Sequence, residues 1–173
     1  NDITISAADF QLLGLINTLN SATFNLLPSQ IGATIDVTSS GTGFTVSDAE
    51  LDRITTGTLN LGDPNAGDLT VSEAISQNRN AVNLTSGTAI NVDSSITNTF
   101  GSLTLDGSTV NLNAGLATEG GTIDVNAPVV LGADVAIDAT NGGAQSGGAN
   151  VTIGGTVTGT GSARSFTANA GTG

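Results

Sequence analysis

Short apolar–polar–apolar triplets recur along the chain at nearly constant intervals. One series begins with Leu59-Asn60-Leu61 and returns at residues 82, 103, 123 and 151, with steps of 23, 21, 20 and 28 residues. A second series, beginning at residues 69, 90 and 110, is interleaved with the first. A period of roughly 20 to 50 residues is the signature of stacked structural units. This period restricts the possible folds more than any other feature of the sequence.

Each triplet predicts a short strand, because alternation at period two marks a strand with one buried face. The second series continues either at residues 129–131 or at residues 135–137. Turn-forming pairs such as Ser86-Gly87 and Asp106-Gly107 separate the triplets. Each coil is therefore predicted to contain two short strands and two or more turns.

The outward polar residues favour a stack of coils. Asn60 and Asn83 return at the same position of the first series, and Asn91 and Asn111 do so in the second. Coils stacked about 4.8 Å apart would align such side chains into ladders. We therefore predict an all-β chain that forms a right-handed parallel β-helix, or β-solenoid, of seven or eight coils, roughly 20–22 residues each, with short helical excursions. A β-sandwich, whose strands recur about every 8–12 residues, is the alternative.

The first 43 residues differ from the repeats of residues 44–173 and are predicted to hold N-terminal coils and a short helix at about residues 7–20. Ser6 and Asp9 have the spacing of a helix capping box. Apolar residues follow at helical intervals, namely Phe10, Leu12, Leu13, Ile16 and Leu19. The opening of residues 3–10 returns at 44–51 and, in shorter form, at 69–75, which predicts helical turns at these corners.

Charge and composition exclude several functions. Fifteen acidic residues against three arginines give a net charge of −12, which repels nucleic acids and anionic membranes. No apolar run reaches the 18 or so residues of a membrane span. Without Cys or His there is no thiolate or imidazole metal site, no Cys or Ser–His nucleophile system and no histidine base, and without Lys there is no Schiff base. Few carboxylate pairs are available for acid–base chemistry, namely Asp124 with Asp106 or with Asp138. We expect no enzyme, no catalytic residue and no cofactor site.

One loop resembles a calcium-binding loop in part. Asp63, Asn65 and Asp68 space oxygen ligands in a suitable way, but the glutamate expected at the twelfth position is Ala74. An Asx turn is the structural explanation of the same residues. A weak calcium site at Asp63, Asn65 and Asp68 is the alternative.

Three segments resemble the strand repeats of large filamentous-haemagglutinin-like adhesins. They are residues 49–63 (AELDRITTGTLNLGD), 149–159 (ANVTIGGTVTG) and 166–173 (FTANAGTG). The resemblance covers about residues 44–173 and implies a right-handed β-helix that is exported to the outer surface of Gram-negative bacteria. It implies a role in adhesion or surface structure and brings no catalytic motif.

We therefore expect an extracellular, non-catalytic structural or adhesive segment of a larger protein, with repeats that continue beyond residue 173. Its expected partner is a receptor or glycan on a host or cell surface. Self-association through the ends of the solenoid is a second expected contact, because unpaired strand edges pair with other chains. The alternative is a β-sandwich subunit of a self-assembling filament or layer.

Overall fold

The computed structural model describes residues 1–18, 20–140 and 142–172, and within these ranges it contains 21 short strands and one helix, α1 (Asp48–Leu51). In chain order the strands are β1 (Ile3–Ala7), β2 (Ile16–Asn17), β3 (Thr23–Pro28), β4 (Ile35–Val37), β5 (Phe44–Val46), β6 (Ile54–Thr55), β7 (Thr58–Leu61), β8 (Leu69–Val71), β9 (Ile75–Gln77), β10 (Ala81–Thr85), β11 (Ala89–Val92), β12 (Ile96–Asn98), β13 (Ser102–Asp106), β14 (Thr109–Leu112), β15 (Leu116–Thr118), β16 (Ile123–Val125), β17 (Val129–Leu131), β18 (Val135–Asp138), β19 (Val151–Ile153), β20 (Val157–Gly159) and β21 (Phe166–Asn169).

The strands form three long parallel sheets that run along the molecule and one two-stranded parallel sheet, β2-β6. Sheet 1 has the order β1-β3-β7-β10-β13-β16-β19, sheet 2 has the order β5-β4-β8-β11-β14-β17-β20, and sheet 3 has the order β9-β12-β15-β18-β21. From β7 onward each coil contributes one strand to each sheet, as β10, β11 and β12 do. The fold is a parallel β-helix, as the period predicted. The β-sandwich alternative is wrong, because its strands would pair antiparallel.

Inward side chains stack from coil to coil and form one continuous core. In sheet 1, Leu59, Val82 and Leu103 occupy successive coils at one register position, and none is more than 1% exposed. The core cluster extends along the chain from Phe10 to Ala139. Such columns stabilise the fold by about 25 cal/mol for each Å² of apolar area that they bury.

The sequence triplets are strands, but each coil has one strand more than predicted. The first series forms strands of sheet 1 and the second forms strands of sheet 2, where β17 provides the continuation at residues 129–131. Residues 135–137 belong instead to β18 of sheet 3. The two triplet series did not predict sheet 3.

The helix predicted at about residues 7–20 is wrong for the residues described there, and Leu19 lies outside the described residues. β1 extends through Ala7, and β2 occupies residues 16 and 17. The backbone N–H of Leu12 donates to Glu50 Oε1 at 2.8 Å, and that of Ile16 donates to the Arg53 carbonyl at 2.9 Å. Tertiary partners thus satisfy the N–H groups that a helix would have bonded internally.

A helical turn forms at the second copy of the repeated opening. The Ser47 hydroxyl accepts the Glu50 N–H at 3.2 Å, and the Glu50 carboxylate accepts the Ser47 N–H at 3.0 Å, so the two residues make a capping box before α1. The third copy, at residues 69–75, forms β8 and the start of β9 without a helix in these described residues. Of the described helical residues, none forms a segment long and apolar enough to cross a bilayer.

Strand β5 interrupts the simple winding of the chain. It pairs in parallel with β4, which directly precedes it, and lies on the side of β4 opposite to β8. Only residues 38–43 connect the two strands, whereas parallel neighbours usually need a connection of about a dozen residues or more. The chain therefore steps back by one coil, and Phe44, which is 3% exposed, closes the core at that end of sheet 2.

Candidate functional site

The outward face of sheet 1 carries a ladder of hydrogen-bonded amides. Asn83 Nδ2 donates to Asn60 Oδ1 at 2.8 Å, and Asn60 Nδ2 donates to Asn25 Oδ1 at 2.7 Å. Asn25 Nδ2 continues the series to Thr4 Oγ1 at 3.1 Å. The predicted register of Asn60 and Asn83 is confirmed, and every bond in the ladder points toward the first coil.

A second ladder with the same direction lies on sheet 2. Asn111 Nδ2 donates to Asn91 Oδ1 at 2.7 Å, and Asn91 Nδ2 donates to Thr70 Oγ1 at 3.3 Å. The predicted register of Asn91 and Asn111 is confirmed too. These side chains are half-buried by their neighbours and uncharged, so the two faces present ordered amide and hydroxyl groups in place of ion pairs.

A buried arginine joins α1 to the first strand of sheet 3. Arg79 is 5% exposed, and its Nη2 and Nη1 donate to the carbonyls of Leu51 at 2.6 Å and of Ile54 at 2.5 Å. Its Nε donates to Gln77 Oε1 at 2.7 Å. The guanidinium thus satisfies the carbonyl of Leu51, the last residue of α1, and the carbonyl of Ile54, the first residue of β6.

Carboxylates around α1 complete this network. Gln77 Nε2 donates to Asp48 Oδ1 at 3.0 Å and to Asp52 Oδ1 at 3.1 Å. Burial raises the pKa of Asp48, although the hydrogen bonds from Ser76 and Gln77 act against it. Burial also lowers the pKa of Arg79, which the nearby charges of Asp52 and Asp48 partly restore. The hydrogen bonds among these four side chains fix their positions and connect α1 to β9.

An open groove of about 500 Å³ lies at the corner where each coil passes from sheet 3 to sheet 1. We call it the lower groove. Exposed polar side chains line it, with Phe100 at one border. The exposed polar residues are Asn20, Asp52, Thr55, Asn78 and Asn80, and the buried Thr56, Gln77 and Arg79 also line the groove. The corner is tight, because a Cβ on Gly101 would lie 1.9 Å from the Asn80 carbonyl oxygen.

A second groove, of about 530 Å³, lies on the other side of Phe100 at the same corner of later coils. We call it the upper groove. Its lining includes Thr99, Glu119 and Gln145. Phe100 is 65% exposed and borders both grooves, so its aromatic ring lies between the lower groove and the upper groove.

The three calcium candidates make other contacts. Asp63 Oδ1 accepts the backbone N–H of Asn65 at 2.6 Å. This bond forms the Asx turn that was weighed against a calcium site. Asp68 Oδ1 accepts the Thr88 hydroxyl at 2.6 Å and the Ala89 N–H at 3.2 Å, and the Thr88 bond lowers the pKa of Asp68. Among the described residues, no group of three or more acidic side chains is placed to hold a metal ion.

The carboxylate pairs considered for acid–base chemistry are placed apart or out of register. Asp124 lies in sheet 1 opposite Thr104, and Asp138 lies in sheet 3. Asp106 is two positions beyond Thr104 on β13. Asp138 is engaged locally, because its Oδ1 accepts the Thr140 hydroxyl at 2.6 Å.

Sequence reasoning missed Arg79 and Phe100. Arg79 bonds to carbonyls 25 and 28 residues away, and no spacing in the sequence indicates such partners. Phe100 did carry a signal, because it is an aromatic residue that falls in a turn outside the apolar triplets.

The geometry defines a class by fold: the chain is a parallel β-helix protein with polar ladders on two faces and a grooved corner. Comparisons with protein-family models, with curated proteins and with solved structures found no match.

Proposed function

We propose that this chain is a non-catalytic segment of an exported cell-surface protein, in which the β-helix projects or builds an extended rod. The observation that carries the proposal is the stack of seven strands in sheet 1 over one continuous core. A solenoid grows along one axis as coils are added, which suits a spacer or a long binding surface. The resemblance of residues 44–173 to adhesin repeats supports the same role.

The surface chemistry supports an extracellular setting. Amides and hydroxyls on sheets 1 and 2 bond to one another, so ordered faces are maintained with little dependence on ionic strength. The net charge of −12 disfavours nucleic acids and anionic lipid as partners. A receptor or glycan on another surface is the partner we propose.

Self-association is a second proposed contact. Strands β19, β20 and β21 lie at one edge of their sheets, and Val157 on β20 is 40% exposed. Strand edges of this kind pair with other chains. Sedimentation velocity over a hundredfold range of concentration tests this: association should raise the mean mass, and a constant monomer mass contradicts it.

Antibody labelling of intact source cells tests the proposed location. Antibodies raised against the purified segment should label unpermeabilised cells, and protease added outside should remove the label. An antibody to a cytoplasmic marker is the control for cell integrity. Label that appears only after permeabilisation would overturn the proposal. Loss of attachment in cells that lack the segment would then separate adhesion from a purely structural role.

A further inference from the structure

We propose that Phe100 and the grooves on its two sides form a binding site for a linear, uncharged saccharide. This inference deepens the proposed surface function and rests on it. It arises from the combination of one exposed aromatic ring with two polar depressions along the axis of the rod.

Phe100 is the most exposed of the five phenylalanine side chains, although Leu13, Leu15 and Ile31 are more exposed still. Phe10, Phe24 and Phe44 are at most 8% exposed, whereas Phe100 is 65% exposed. It lies in the turn between β12 and β13, where it makes no contribution to the core cluster. Aromatic rings offer a large apolar face, and the C–H face of a pyranose ring packs well on such a surface.

Each groove supplies groups that match sugar hydroxyls. The lower groove presents the carboxylate of Asp52, the amide of Asn78 and the amide oxygen of Asn80, whose Nδ2 donates to the Asn20 carbonyl at 3.0 Å. The upper groove presents Glu119 and Gln145. A carboxylate accepts hydrogen bonds and an amide both donates and accepts, so together they satisfy vicinal hydroxyls that also do both. Small-ligand sites typically combine an apolar surface with a few polar groups in this way.

The electrostatics favour an uncharged ligand. Each groove carries one carboxylate, which would repel sulfated or carboxylated sugars. Arg79 also lines the lower groove, but it is only 5% exposed, and its guanidinium already donates to Leu51, Ile54 and Gln77. Amides and hydroxyls outnumber carboxylates in the lower groove, which favours a saccharide over a cationic peptide.

The positions of the grooves favour a chain of sugars. The lower groove is built from turns that precede β7 and β10, and the upper groove from turns that precede β16 and β19. Phe100 precedes β13, which lies between them in sheet 1. A linear ligand that lies along this corner would therefore occupy both grooves and stack one ring on Phe100.

A single-tryptophan variant provides the direct test. The sequence contains no Trp, so Phe100→Trp keeps an aromatic platform and adds one fluorescent reporter at the site. The probes are neutral hexasaccharides of β-1,4-linked glucose, of β-1,4-linked N-acetylglucosamine and of mannose. At least one should shift the emission of this variant to shorter wavelength in a saturable manner.

Matched variants then test the residues against wild type by saturation-transfer NMR with the same hexasaccharide. Phe100→Ala should weaken binding about five- to tenfold, in line with the loss of one aromatic stacking contact. Asp52→Ala and Glu119→Ala should each weaken it as well. Ile31→Ala is the control, because Ile31 is an apolar side chain that is 89% exposed and lies outside both grooves.

Three results would overturn the proposal: no hexasaccharide in the panel binds, Phe100→Ala binds as wild type does, or hexalysine binds at Phe100 while the saccharides do not. The last result would assign the site to a cationic partner. These measurements use purified protein, so their failure leaves the cell-labelling result intact. Conversely, if the purified protein binds a saccharide but the antibody labels only permeabilised cells, the surface function is rejected and the saccharide site is retained.

Discussion

The side-chain carboxylate of Asp48 accepts the backbone N–H of Ser76 at 3.0 Å, on the side of β9 that faces away from β12. A preceding strand would supply a carbonyl at this place. Helix α1 therefore ends sheet 3 with a side chain that imitates strand pairing, and it covers an edge that would otherwise be open to other chains.

Replacing Asp48 with alanine should lower the free energy of unfolding by about 1–3 kcal/mol, because the Ser76 N–H and the part-buried Gln77 amide both lose an acceptor. Urea unfolding followed by circular dichroism measures this. The matched control is Asp106→Ala, since Asp106 is an exposed aspartate at the end of β13. An equal loss in both variants contradicts the role given to Asp48.

Arg79→Met should destabilise the protein by about 2–6 kcal/mol, because the apolar side chain leaves the buried carbonyls of Leu51 and Ile54 without their donor, at about 1–3 kcal/mol each. Arg164→Met, at an exposed position, should change stability little. Thermal melting should therefore give a lower melting temperature for Arg79→Met than for Arg164→Met. Similar melting temperatures would show that Arg79 is not the link between α1 and sheet 3.

The amide ladder predicts unequal effects for two neighbouring asparagines. Asn60→Ala breaks two side-chain bonds and should cost about 2 kcal/mol, whereas Asn83→Ala breaks one and should cost about 1 kcal/mol. Both residues are half-buried on the same face, so each is the control for the other. The same denaturant midpoint for the two variants would contradict a ladder in which each bond contributes.

Acid should remove the contribution of Asp138. The Thr140 hydroxyl bond, together with the N–H groups of Thr140 and Gly142, lowers the pKa of this carboxyl. A folded-state pKa below the unfolded one stabilises the protein above about pH 4, and this contribution disappears as the pH falls through the folded-state pKa. Asp138→Asn should therefore melt below wild type at pH 7 and approach it near pH 2. A difference that is constant with pH would exclude this linkage.

Sheets 1 and 2 could be predicted from sequence because their strands place apolar residues at both inward positions, as Leu59 and Leu61 do. Sheet 3 could not, because its strands often end on a buried polar residue, as in Gln77, Asn98 and Thr118. Asn98 shows why these positions are polar: its Nδ2 donates to the carbonyls of Arg79 at 3.1 Å and of Ser102 at 2.9 Å. Backbone carbonyls at the corners need side-chain donors of this kind, so a polar residue replaces the second apolar residue of the triplet there.

The prediction of a helix at about residues 7–20 was wrong for a different reason. Residues 7–18 have the spacing of a helix, but Glu50 and the Arg53 carbonyl take up the N–H groups of Leu12 and Ile16. Those partners lie about 38 residues away in sequence, so local pattern could not reveal them. The same limit applies to the grooves, whose walls come from the turns before β7, β10, β13, β16 and β19.

The backward step of β5 makes the early strands depend on residues that follow them in sequence. Residues 44–46 pair with β4 on the side opposite to β8, and residues 54 and 55 pair with β2. Between these two pairings lies Glu50, whose carboxylate accepts the Leu12 N–H. Residues 44–55 therefore provide strand partners for both β2 and β4, and removal of this one segment would leave two strand edges unpaired.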